Sequence, residues 1–270
     1  MRRVLLEGTD LSTTRLGLGT AALHHLPRRR ARLALLEAAF EAGIRHFDTA
    51  PYYGHGIGEA ALGELARTRR ASLTIATKFG LMQSPLLARR PFLLYAQLAS
   101  RSAARRILGR AAGGGPRRDY GTNEARTSLE RSLRALRTDY VDILFVHEPV
   151  LAALGDGDAL GEVLSRMRSE GKLRYVGLAG SVRDCIAVAR RWPHLAQVLQ
   201  VDASRAPEEW PLLDAAALAG QVSFGHFRGR SAAIPSLLGE AVRYNPSGVL
   251  LYSTRRPERI GGLARLLADR

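Results

Sequence analysis

Lysine is almost missing from this chain. Of its 40 basic side chains only Lys78 and Lys172 are lysines; the other 38 are arginines. Arginine keeps its charge at any ordinary pH and grips anions through a planar fork, whereas the lysine ammonium is compact and its proton affinity can be tuned. Each lysine therefore asks for a reason. A single cysteine, Cys185, excludes an internal disulfide and a cysteine-based metal cluster. The histidines show no ligand spacing with carboxylates, so no metal is expected. Apolar runs fall short of the roughly 18 to 20 residues that span a bilayer. The apolar start of Met1–Asp10 stops at Glu7, too soon for a signal peptide, and a cytoplasmic address is the expectation. Acids are scarce as well: 25 against 40 bases leaves a formal charge of +15. Such a surface attracts polyanions. Aromatic residues make up only 6% of the chain and do not interleave with the bases, so no nucleic-acid role is expected.

What is present is rhythm. Short, nearly continuous apolar runs occur at 15–20, 44–48, 73–77, 140–146, 174–178, 196–201, 221–224 and 248–252. Strands buried on both faces of a parallel sheet read this way. Amphipathic stretches lie between them. Residues 29–42 put Leu33, Leu36, Ala39 and Phe40 on one face, and residues 122–136 do the same with Leu129, Leu133 and Leu136. Further helical stretches run over 158–170 and 257–267. Eight strands alternating with helices over about 250 residues predict a single (β/α)8 barrel over residues 1–270. A hairpin at Arg3–Leu5, turning at Gly8–Asp10, is expected to cap its bottom. The segment 79–118 breaks the rhythm with eight arginines and no acid. It follows the third strand, so it is expected as a long basic insertion on the catalytic face, with a helix over Leu94–Arg110.

Barrel enzymes place working residues at the carboxyl ends of strands. The second strand runs into His46-Phe47-Asp48-Thr49-Ala50-Pro51-Tyr52-Tyr53-Gly54, the third into Thr77-Lys78-Phe79-Gly80, and the fourth into His147-Glu148-Pro149. Each residue alone has an ordinary role: Asp48 as a cap, Tyr53 in packing, Lys78 snorkelling, His147 satisfied in a core. Together Asp48, Tyr53, Lys78 and His147 make chemical sense. A phenol titrates near 10, and a neighbouring ammonium favours the phenolate. Tyr53 beside Lys78 can then give a proton to a carbonyl oxygen or take one from an alcohol. Asp48 would hold Lys78, and His147 would hydrogen-bond the substrate oxygen. The glycines 54, 56 and 58 have dinucleotide-like spacing but lack the acid of a Rossmann unit. They are read as a turn into a helix.

These blocks resemble the aldo-keto reductase superfamily. The likeness rests on His46–Gly54, Ala76–Gly80, Ser128–Pro149 and Gly171–Gly180. In flavour it is closest to the aldose-dehydrogenase and pyridoxal-dehydrogenase branches. The resemblance implies an oxidoreductase barrel that takes NADPH, with NADH as the alternative. It makes Tyr53 the proton donor, Asp48 and Lys78 its tuners, and His147 the substrate orienter. It also assigns Gly19, Thr20, Gln200 and Phe224 to the nicotinamide end, and Thr254, Arg255 and Arg259 to the 2′-phosphate. The chain departs from the family pattern at Ala179-Gly180, where a serine–asparagine pair is usual; Ser181 is the nearest substitute. It departs again at Gly225–Arg228, at Gly262-Leu263, and in having no pocket-closing extension by Arg270.

The leading expectation is an NADPH-dependent reductase of an aldehyde or ketone. The alternatives are an aldose or alcohol dehydrogenase working in the oxidative direction, and a cofactor-sensing subunit without turnover. The expected partner is a small carbonyl compound, and the Arg-rich insertion suits an anionic one or one carried by an acidic protein. Substrate identity and oligomeric state are left open.

Overall fold

The computed structural model describes residues 1–90, 92–96 and 116–268. Ten strands occur among them: β1 (Arg3–Leu5), β2 (Ser12–Thr14), β3 (Leu16–Gly19), β4 (His46–Asp48), β5 (Thr74–Phe79), β6 (Val141–His147), β7 (Leu173–Gly180), β8 (Val198–Asp202), β9 (Val222–Phe224) and β10 (Val249–Tyr252). Strands β3 to β10 close into a parallel barrel in chain order, β10 pairing with β3. Every one of them coincides with an apolar run in the sequence.

Two apolar clusters explain the layers. The larger packs the outward faces of the strands against the helices, and includes Leu36 and Ala39 of the helix Arg29–Glu41 and Leu129 and Leu136 of the helix Thr122–Leu136. The smaller fills the barrel with Ala76, Ile143, Phe145, Val198, Val222, Val249 and Leu251. Val4, Leu6 and Leu11 join that inner cluster. The antiparallel hairpin β1–β2 is thus a hydrophobic plug in the barrel floor.

The register sets the height of each side chain at the other end. Gly19 sits opposite Asp48, Asp48 opposite Ala76, and Lys78 opposite Phe145. His147 is opposite Ala179, and Ala179 opposite Gln200. Parallel pairing therefore lifts residues scattered over 180 positions of chain to one rim.

The basic insertion leaves and returns at one point. Leu81 bridges Arg118, Met82 N–H donates to the Arg117 carbonyl at 2.9 Å, and Asp119 N–H donates to the Gly80 carbonyl at 2.9 Å. Residues 92–96 are helical, with Leu94 buried and the Tyr95 hydroxyl 3.2 Å from the Arg32 guanidinium. Most of the helix expected over Leu94–Arg110 lies outside the described residues. No described helix is long and apolar enough to cross a membrane.

Candidate active site

The carboxyl ends of the barrel strands open into a cavity of roughly 920 Å³. Asp48, Tyr53, Lys78 and His147 all line it. Asp48 and Lys78 are 3% and 1% exposed. The Lys78 ammonium donates to an Asp48 carboxylate oxygen and, at 3.0 Å, to the Thr49 carbonyl. Burial pushes the Asp48 carboxyl up and the Lys78 ammonium down, and the mutual attraction of the pair opposes both.

Tyr53 comes from the turn between β4 and the helix Ile57–Arg69. Its N–H donates to the Ala50 carbonyl, and its own carbonyl accepts from Gly58 N–H. The Lys78 Nζ lies 5.1 Å from the Tyr53 ring centroid. The His147 ring meets the Tyr53 ring edge-on, centroids 5.7 Å apart at 85°. Burial, followed by Lys78 and Arg118, holds the His147 imidazolium well below its usual pKa, so the ring is neutral.

One expectation is corrected here. The sequence led us to expect Lys78 to bring the Tyr53 phenol down toward neutrality. Instead burial, then the charges of Asp48 and Glu148, hold it well above 10, with Arg228 opposing weakly. A phenol held high stays protonated, which suits a proton donor more than a base.

The other assigned residues divide. Gly19, Gln200 and Phe224 line the cavity; Thr20, Thr254, Arg255 and Arg259 do not. The Thr20 hydroxyl donates to Thr49 at 2.8 Å in a fully buried pair. Thr254 accepts from Arg256 N–H at 3.1 Å, and Arg255 and Arg259 are exposed on the stretch that follows Tyr252 and Ser253 of the rim. Gln200 is 2% exposed and lines the cavity with Asp48, while its Oε1 has no partner among the described residues. An orphaned buried oxygen on a cavity wall is a place for a donor from a ligand. Ser181 lines the cavity and is engaged at a helix end. It caps the helix Val182–Arg191, accepting from Asp184 N–H at 3.1 Å and donating to the Asp184 carboxylate at 2.6 Å. At Gly180 a side chain would sit tightly against Pro149 and Glu148, at 3.0–3.3 Å.

Sequence reasoning missed two buried groups near the four. His46, two residues before Asp48 on β4, has neither ring nitrogen paired among the described residues. Burial and Lys78 push it down to about 3, so it stays neutral. Glu59, the acid in the first turn after the Tyr53 turn, accepts from the Thr77 hydroxyl at 2.7 Å. Thr77 precedes Lys78, so this bond ties the helix to the strand that carries the ammonium.

Burial raises the Glu59 carboxyl from 4.5 to about 6. Between those values the native state holds a proton that the unfolded chain has released. The stability that Glu59 contributes therefore falls as pH rises through the window, by about 2 kcal/mol at the far side. Glu59→Gln removes this dependence while keeping an acceptor for Thr77. Urea denaturation of both proteins at either end of the window is expected to show the wild type losing about 2 kcal/mol relative to the variant, since the buried neutral histidines add the same pH dependence to both.

Comparisons with known proteins agree with this geometry. Residues 15–204 match the aldo/keto reductase family. A D-threo-aldose 1-dehydrogenase from a Pseudomonas species is 31% identical over 188 residues, covering 67% of this chain and 54% of the relative. The chain thus matches little more than half the length of that protein. Among solved structures, the glycerol dehydrogenase of Gluconobacter oxydans superposes with a TM-score of 0.71 at 17% identity, covering 98% of this chain and 89% of that one. An aldo-keto reductase from Klebsiella pneumoniae in complex with NADPH gives 0.66 at 19%, covering 99% and 90%. The chain belongs to the aldo/keto reductase family of NAD(P)-dependent oxidoreductases.

Proposed function

We propose that this protein reduces the carbonyl of a small aldehyde or ketone to an alcohol, using NADPH. The observation that carries the reading is the meeting of a protonated Tyr53, a neutral His147 and a buried Asp48–Lys78 pair on one wall of a single cavity. When bound, the cofactor supplies a hydride to the carbonyl carbon. Charge then develops on the carbonyl oxygen and a proton must follow. Tyr53 gives that proton, and the neutral His147 ring donates a hydrogen bond to the same oxygen. Lys78, fixed by Asp48, places its positive charge beside the phenol that loses the proton.

The cavity offers what the cofactor needs. Gln200 would take the carboxamide through its unpartnered Oε1, Gly19 would let it approach the backbone, and the Phe224 ring would stack beside it. Thr254, Arg255 and Arg259 would receive the 2′-phosphate on the loop beyond the rim; arginine is apt for that group. The similarly folded aldo-keto reductase from Klebsiella pneumoniae is known in complex with NADPH.

The test is steady-state turnover of a carbonyl panel with NADPH, followed by Tyr53→Phe. We expect kcat to fall by about 10²- to 10⁴-fold, while NADPH quenching of protein fluorescence titrates unchanged. Activity that survives in Tyr53→Phe defeats the reading. A second reading, oxidation of an aldose, is favoured by the similarity to D-threo-aldose 1-dehydrogenase. It predicts faster turnover of sugars with the oxidised cofactor than of any aldehyde in the panel.

A further inference from the structure

The strand β6 ends on a bend that L-residues seldom adopt. Glu148, immediately after His147, has φ +46°. A non-glycine residue held there is strained and persists only where its surroundings over-determine it. Three contacts do so. Glu148 N–H donates to the Ala179 carbonyl at 2.7 Å. Gly180 leaves room for the Glu148–Pro149 backbone. The third contact is remote in sequence: the Tyr120 hydroxyl reaches the His147 carbonyl at 3.2 Å and also the Glu148 carbonyl.

Tyr120 is built for this place. It is 3% exposed and stands where the basic insertion rejoins the barrel, one residue after the Asp119–Gly80 hydrogen bond. Gly80 has φ +109°, and a side chain there would collide with the Tyr120 ring at 2.4 Å. The glycine that follows the Lys78 strand is thus the slot that admits the ring. Burial lifts the Tyr120 hydroxyl to about 12, so it remains a donor across the working range.

We infer that Tyr120 is a positioning residue: its hydroxyl staples the His147–Glu148 bend and so aims the His147 ring at the substrate oxygen. The same staple joins the root of the basic insertion to the active site. Arg118, two residues earlier, pairs with the Glu148 carboxylate at 3.1 Å and lines the cavity with it. The kinetic part of the inference rests on the reductase reading above; the spectroscopic part does not.

The experiment uses Tyr120→Phe, which keeps the ring in its slot and removes only the hydroxyl. In protein labelled with ¹³C-histidine, the His147 ring signal is assigned by its loss in His147→Gln. That ring lies edge-on to Tyr53, so a small displacement changes its ring-current shift. We expect the signal to move in Tyr120→Phe. We also expect kcat/KM to fall roughly 10- to 100-fold, as a misplaced catalytic group does, with NADPH affinity within about two-fold of wild type. Combined with His147→Gln, the Tyr120→Phe change is expected to cost nothing more. An unmoved His147 signal, a wild-type kcat/KM in Tyr120→Phe, or multiplied losses in the double variant would overturn the staple. If the wild-type protein consumes no carbonyl compound, the reductase reading fails and the histidine signal decides the staple by itself.

Discussion

Lys78→Arg is expected to lower kcat/KM by about 10²- to 10⁴-fold, although the charge is kept. Lys78 is 1% exposed and its ammonium donates two hydrogen bonds, to Asp48 and to the Thr49 carbonyl. The rings of Tyr53 and Phe145 lie 5.1 and 6.0 Å from Nζ. A guanidinium is bulkier, and its five donors need acceptors that this wall does not provide. It would displace Tyr53 or leave N–H groups unpaired, and both outcomes spoil the proton transfer. Overpacking of a filled site adds about 1–3 kcal/mol of destabilisation. Steady-state kinetics on protein whose near-ultraviolet dichroism is native would check this. A variant that keeps more than about a tenth of the activity would show that charge alone suffices. In a chain that uses arginine nearly everywhere, this is the position where arginine fails.

Arg15→Leu is expected to cost about 3–5 kcal/mol of stability. Arg15 is 2% exposed, at the floor of the barrel just before β3. Its two terminal nitrogens donate to the carbonyls of Gly248 and Asn245. No carboxylate pairs with it among the described residues. Its counter-charge comes from a helix end, because Asn245 caps the carboxyl terminus of the helix Ile234–Tyr244. Asn245 in turn donates to Ser223 at 2.9 Å and accepts from Gly248 N–H at 2.8 Å. Burial, reinforced by Arg2, lowers the guanidinium to about 10, so it is charged at neutral pH. Leucine would strand two buried carbonyl oxygens and loosen the floor on which β10 meets β3. Equilibrium urea denaturation measures the loss. Arg15→Lys keeps a charge without the fork and should fall between the two. A leucine variant within about 1 kcal/mol of wild type would show the carbonyls finding other donors.

These two positions separate what could be read from the sequence from what could not. Lys78 was legible because a short motif on a strand end announces it. The barrel was legible too, since each parallel strand is a local apolar run whose period survives in one dimension. Arg15 had no such signal. It is one arginine among 38, and the carbonyls that hold it are 230 and 233 residues away. Tyr120 was equally silent, because its partners lie 27 and 28 residues further on and the slot that admits it is at Gly80. Ser181 lines the cavity, as its position suggested, and its hydroxyl also caps a helix.

The sequence alone determined the eight-stranded order, the plug that closes its floor and the four residues that gather at its mouth. Strand periodicity, turn chemistry and motif spacing are local properties, and a closed parallel barrel converts chain order directly into position. Only the tertiary structure decided the electrostatic state of those residues. Tyr53 was expected to be lowered by Lys78 and is instead raised, because burial and the charges of Asp48 and Glu148 outweigh the opposing charge of Arg228. Proton affinities depend on which charges end up nearest and how little water remains, and neither is written in the order of residues.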